Sequence, residues 1–275
     1  MLQRAFSGII FISILIGATL FNSLTFYLLF FFFMLVAIFE FQKLSKYKTP
    51  FFYVLGVISF ILSAGGIQIL KSNFEVTNII SNNIINTSFI YVILFASFLI
   101  VLFKRVNNSP FLDLGIVFLT YLYAIVPFTI ILAIPFCNEA HIYEGTTFLG
   151  CIILIWSTDT FAYLTGKAIG KHKLYPKISP NKTIEGSVGG LFFTLITASI
   201  LSYYFTQYSL PEWIGLSIVI SIFGGLGDLV ESMFKRAANI KDSGNLIPGH
   251  GGVLDRFDSL LFASPFIYFY LQLIS

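Results

Sequence analysis

Hydrophobic positions along this chain fall in long unbroken runs. They show neither the two-residue alternation of a strand nor the narrow stripe of a surface helix. Nine runs can be marked, at about 6–21, 24–41, 51–70, 88–103, 111–136, 147–166, 187–207, 214–234 and 257–274. Most match the roughly 20 residues a helix needs to cross a bilayer core, with the first and fourth short and the fifth long. Backbone in hydrocarbon must satisfy its own hydrogen bonds, so a spanning chain is helical or a closed barrel, and unbroken runs select helices. The pattern predicts an all-α, polytopic integral membrane protein of about nine transmembrane helices. Pro127 and Pro135 predict a kink or break in the fifth run, whereas Pro50 and Pro110 stand where a first turn tolerates proline. The first run follows Gln3-Arg4 and imitates a signal peptide, but the second begins within a few residues and no small-residue cleavage site is clear, so a membrane helix is expected.

Composition agrees. The 275 residues are 57% hydrophobic and 11% charged, with a mean hydropathy of +0.88, and a soluble domain of this content would expose mostly apolar surface. Cys137 and Cys151 form neither a disulfide framework nor a zinc pattern and are read as small apolar residues. Charge placement says more than the net +3. With a cytoplasmic N-terminus and nine spans, all of the 16 basic residues except Lys71 fall in inside loops. That satisfies the positive-inside rule, puts the C-terminus outside, and would be lost by merging or splitting one span.

Residues 1–136 carry little chemistry. They are read as structural and packing helices, with Phe30 to Phe33 facing lipid or neighbours, an Asn-rich outer loop from Asn73 to Asn86, and Glu40 and Asp113 in surface or snorkelling roles at helix ends. The character changes in 137–275. Ser157, Thr158, Asp159 and Thr160 interrupt an apolar run; a buried Asp there is either glue for a lysine or a ligand reached from the cytoplasm. A cytoplasmic loop, 167–186, holds Lys167, Lys171, Lys173, Lys177 and Lys182 among Pro176 and Pro180. Such a run can be a solvated face or an anionic-lipid contact. Within it, Ser179-Pro-Asn181-Lys182-Thr183 has the donors and rigidity of an anion-binding turn, and Lys182 is the expected phosphate contact.

Ser232 to Asp258 packs Lys235, Arg236, Lys241, Asp242, His250, Asp255, Arg256 and Asp258 into one short stretch. Gly244, Pro248, Gly249, Gly251 and Gly252 cannot all sit in a regular helix, so the second cytoplasmic loop, 235–256, has a tight glycine-rich centre that a ligand can approach closely. Asp228 and Glu231 precede it, and Asp255 and Asp258 follow it; i,i+3 spacing puts each pair on one helix face. Carboxylates flanking a basic, glycine-rich turn suit Mg²⁺ holding a polyphosphate, because oxygen ligands take the metal while cations and amides take phosphate.

These residues resemble a known family. Ser232, Lys235-Arg236, Lys241-Asp242, Pro248-Gly-His-Gly-Gly and Asp255-Arg-Phe-Asp258 match the phosphatidate cytidylyltransferase (CDP-diacylglycerol synthase) signature without departure. Ser157-Thr-Asp-Thr-Phe-Ala-Tyr, Gly166, Gly170-Lys-His-Lys and Ile178-Ser-Pro-Asn-Lys-Thr-Ile-Glu-Gly186 resemble a second block of that family, in the right order. The resemblance covers roughly the C-terminal half. It implies transfer of CMP from CTP to phosphatidate with release of pyrophosphate, a homodimer, and no nucleic-acid partner.

On that reading Asp228 and Asp255 are the principal ligands of one or two Mg²⁺ ions, with Glu231 and Asp258 beside them and Asp159 as a further ligand. Lys182, Lys235, Arg236, Lys241 and Arg256 contact phosphates of CTP or phosphatidate. Ser179, Asn181, Thr183, His250, Gly251 and Gly252 complete the nucleotide site, His250 either donating to a phosphate or bracing the loop. The expected location is a bacterial inner membrane, with the site open to the cytoplasm and sideways to lipid. Two rivals remain: a CTP-dependent lipid kinase of the dolichol type, which attacks the γ-phosphate with an alcohol, and a cation-coupled transporter using Asp159, Asp228 and Glu231. A CDP-alcohol phosphotransferase is disfavoured by the lack of a DGxxAR motif.

Overall fold

The computed structural model describes residues 2–74, 97–104, 106–107, 109–138, 140–244 and 251–275. The chain is an all-α bundle: α1 (Leu2–Phe21), α2 (Ser23–Ser45), α3 (Phe51–Leu62), α4 (Ala64–Phe74), α5 (Pro110–Ala124), α6 (Val126–Ile131), α7 (Gly145–Ile169), α8 (Ile184–Tyr204), α9 (Leu210–Ala237) and α10 (Leu254–Ile274). Among the described residues six spans are long and apolar enough to cross a membrane: Ser23–Ser45, Pro110–Phe136, Gly145–Ile169, Ile184–Tyr204, Leu210–Ala237 and Leu254–Ile274. The protein is a polytopic membrane protein, as the hydrophobic runs predict.

The nine-span count is only partly met among the described residues. The third run is one span only if α3 and α4 are counted together, and they are bent by 62° at Ser63. There the Ser63 hydroxyl accepts the Gly66 amide at 3.0 Å and restarts the helix. The apolar part of α1, Phe6–Phe21, is shorter than the other spans. Of the fourth run only residues 97–103 are described, and they are helical; the Asn-rich segment lies outside the described residues from position 75 onward. The fifth run breaks where its prolines predict, into α5, α6 and a short 3₁₀ turn at Ile134–Phe136.

The lysine-rich loop has more structure than the sequence suggests. Lys173–Tyr175 (β1) and Ser179–Thr183 (β2) pair antiparallel as a small hairpin with a register irregularity. Glu185, in the first turn of α8, ties it down by accepting the Lys171 and His172 amides at 3.0 and 3.1 Å and meeting His172 Nδ1 at 2.6 Å.

The core is aromatic. Phe26, Phe30, Phe128 and Phe148 are fully buried, and Phe30 meets Phe33 and Phe148 edge-on at 5.8 and 5.2 Å. The 100° step of a helix sorts the phenylalanine run: Phe30 and Phe33 face inward while Phe32 is half exposed. In the C-terminal half, α7, α8 and α9 are joined by hydroxyls: Ser157 to Thr197 at 2.8 Å, Thr158 to Thr194 at 2.9 Å, and Thr158 to Ser221 at 3.2 Å. Small residues admit this closeness, since a Cβ on Gly190 would touch the Thr158 carbonyl and Ala162.

Candidate active site

The two motif blocks meet at one end of the bundle. The C-terminal half of α7, β2, the start of α8, the end of α9 and the start of α10 surround a cavity of about 730 Å³. Asp159, Ser179, Asn181, Lys182, Thr183, Asp228, Asp255, Arg256 and Asp258 line it. Apolar side chains share the lining: Phe11 and Ile12 of α1, beside Gly8, with Trp156 and Tyr163 on the same face of α7 as Asp159. The N-terminal region thus contributes to the cavity as well as to packing.

Each polar side chain owes its place to local folding. Thr183 caps α8 by accepting the Gly186 amide at 3.1 Å, which ends β2 and turns Lys182 into the cavity. Lys182 Nζ lies 2.6 Å from Asp228 Oδ2 and donates to the Gly225 carbonyl at 3.1 Å. A capping box at Ser209 and Glu212 starts α9, and its final turns carry Asp228, Glu231, Lys235 and Arg236. Oxygens of Asp228, Glu231 and Asp258 come within 4.8 Å of one another. Glu231 is buried against Lys235, 2.5 Å away, and neither Glu231 oxygen has a further hydrogen-bond partner among the described residues. The buried hydroxyls of Tyr123 and Ser259 likewise have none among those residues.

Asp255 is engaged differently. Its Oδ1 accepts from Lys235 Nζ at 2.8 Å, and its Oδ2 accepts the amides of Ser243 and Gly252 at 2.8 Å and the Ser243 hydroxyl at 2.9 Å. Gly251 has φ +82°, and a Cβ there would strike the Asp255 carboxylate, so glycine is required on both counts. The remaining expected residues sit further out. Arg236 Nε reaches the Ile178 carbonyl at 3.5 Å, bracing the hairpin, and Lys241 is exposed outside the cavity lining. His250 lies outside the described residues.

Two readings of the N-terminal half need correction. Glu40 is 2% exposed and Asp113 is fully buried, so neither is a surface carboxylate. Asp113 accepts the Val106 amide at 3.0 Å and the Asn107 side chain at 2.6 Å, fixing the turn before α5. Glu40 accepts the amides of Val253 and Leu254 at 3.0 and 2.9 Å and the Ser243 hydroxyl at 3.2 Å. Backbone and side-chain donors stabilise both carboxylates in their buried positions.

The whole arrangement matches a family description. The cytidylyltransferase family model covers residues 2–274. The chain belongs to the cytidylyltransferase family. Similar proteins include the phosphatidate cytidylyltransferase of Staphylococcus aureus (strain COL), 54% identical over 121 residues, or 43% of this chain and 46% of that protein. That of Bacillus subtilis (strain 168) is 52% identical over 130 residues, or 46% of this chain and 48% of that protein. Each alignment thus spans about half the length of the relative it matches. Family membership itself extends through both halves, consistent with a cavity that draws on α1 as well as on α7 to α10.

The family chemistry raises the question of a metal. Asp159, Asp228, Glu231, Asp255 and Asp258 outnumber Lys182, Lys235 and Arg256, and beyond its ion pair with Lys235 the buried Glu231 carboxylate has no further partner among the described residues. An all-oxygen set with this excess of negative charge fits a hard divalent cation.

Proposed function

We propose that the protein is a phosphatidate cytidylyltransferase, converting CTP and phosphatidate to CDP-diacylglycerol and pyrophosphate. The observation that carries this is the composite cavity, whose lining combines cations and clustered carboxylates with apolar side chains of α1 and α7. A phosphatidate needs both surfaces, since its headgroup is polyanionic and its chains stay in the bilayer. The relatives' names and the family membership support the same activity.

In this reading a phosphatidate oxygen, already anionic at neutral pH, attacks the α-phosphorus of CTP. The new P–O bond forms as the bond to the β-phosphate breaks, and pyrophosphate leaves in line. No general base is needed; the demand is for alignment and charge neutralisation. Lys182 and Arg256 face the cavity and take phosphate oxygens. Asp228, Glu231 and Asp258 would hold Mg²⁺, with Asp159 within the same cavity. When bound, the ion supplies Lewis-acid stabilisation of phosphate charge. Lys235 balances Glu231 and Asp255 instead of reaching the substrate, and Asp255 secures the loop. Ser179, Asn181 and Thr183 line the nucleotide side. The site faces the cytoplasm from a bacterial inner membrane, supported by the basic loops and the bacterial relatives, and the homodimer belongs to the same proposal.

The test is purified protein in detergent with labelled CTP, phosphatidate and Mg²⁺. Equal amounts of lipid-linked CMP and pyrophosphate are expected from wild type and neither from Asp228→Asn. Release of CDP would indicate a lipid kinase, and substrate-dependent flux in proteoliposomes without product would indicate a transporter; either refutes the proposal.

A further inference from the structure

Helix α10 begins without a cap of its own. Val253 stands at its N-cap with helical φ and ψ and makes no side-chain cap bond, leaving the first amides unsatisfied locally. The partner comes from α2: the Glu40 carboxylate takes the amides of both Val253 and Leu254. The same carboxylate receives the Ser243 hydroxyl, on the chain segment that follows α9. The same Ser243 hydroxyl lies 2.9 Å from Asp255 Oδ2, so its single proton is shared between the two carboxylates. The fit leaves no spare room. A Cβ at Gly244 or at Gly252 would overlap the Glu40 carboxylate. Two of the glycines flanking residues 245–250 are therefore explained by a side chain more than 200 positions away.

We infer that Glu40 is a positioning residue of the active site, a remote clamp that holds both ends of the glycine-rich loop and thereby orients Asp255 and Lys235. The inference deepens the proposed function and rests on that reading of the site. The linkage runs from Glu40 through Ser243 and the Gly252–Leu254 backbone to Asp255, then to Lys235 and the buried Glu231. Glu40 does not line the substrate cavity.

Glu40→Gln tests it with little change of shape. The amide nitrogen cannot accept, so one of the two backbone donors loses its partner. Hydrogen exchange in the peptide spanning residues 251–258 should quicken at least tenfold while α7 and α8 stay at wild-type rates. In the CTP assay kcat should fall at least tenfold with the KM for CTP moving less than threefold. Glu40→Asp keeps the charge but is one methylene shorter, and should show the same local exchange signature. If Glu40→Gln does not fold, Ser243→Ala, which removes only the shared hydroxyl, should still quicken exchange locally. Unchanged exchange at 251–258 in the folded variants, or exchange raised equally throughout the bundle, overturns the inference. If wild type makes no lipid-linked CMP, the functional reading fails, while the exchange experiment still decides the clamp.

Discussion

Replacing Lys235 by Met should destabilise the protein measurably before any question of catalysis arises. The ammonium sits 2.5 Å from Glu231 and 2.8 Å from Asp255, in side chains that are 14%, 1% and 6% exposed. Met keeps most of the aliphatic stem, so the change isolates the charge. Removing one partner of a buried ion pair strands the other and costs about 3–5 kcal/mol. For a chain of this size each kcal/mol moves the melting midpoint by about 2–4 °C, giving a drop of about 6–20 °C. The assay is thermal unfolding in detergent with chelator present, because a bound divalent ion would add its own stabilisation. Adding Glu231→Gln to Lys235→Met removes one stranded carboxylate and should recover at least half of the loss. A single variant melting within about 2 °C of wild type would refute the reasoning, and so would a double variant less stable than the single.

Other expectations can be checked with the same preparation. Asp258→Asn takes one carboxylate from the proposed metal set, and the Mg²⁺ concentration giving half-maximal activity should rise at least about tenfold. Thr183→Ala loses the cap of α8 and should cost about 1 kcal/mol, read as a melting shift of a few degrees, with a larger fall in activity because Lys182 precedes it. Burial pushes the Cys137 thiol up to about 11, so thiolate is scarce at pH 7.5 and maleimide should label this cysteine only after denaturation.

The hydrophobic runs made the bundle legible because a bilayer imposes one length and one secondary structure on whatever crosses it. The site was legible for a similar reason, since Asp228, Lys182, Arg256 and Asp258 stand out in a greasy chain. What escaped notice depends on contacts that no local window contains. Glu40 looks like a helix-end carboxylate until its partners near residue 253 are seen. The hairpin was hidden because its strands are short and separated by Pro176. The break between α3 and α4 did leave a signal, Ser63-Ala-Gly-Gly66, a capping residue followed by two glycines inside an apolar run. The division of labour among the carboxylates lay beyond sequence, because i,i+3 spacing treats Asp255 and Asp258 alike while the fold gives Asp255 to the loop and leaves Asp258 facing Asp228 and Glu231.

The link from Glu40 to α10 also sets an order of events during synthesis. Its amide partners lie 213 and 214 positions downstream, and at about 5–20 residues per second a ribosome needs about 10–40 s to make that interval. Throughout that time α2 carries an acid whose permanent donors do not yet exist. A charge without partners is held at the interface, where Lys43 and Lys46 lie close by in sequence. Helix α10 is thus the one that lets α2 settle, and the nascent protein stays unfinished at this end of the bundle until α10 has entered the membrane.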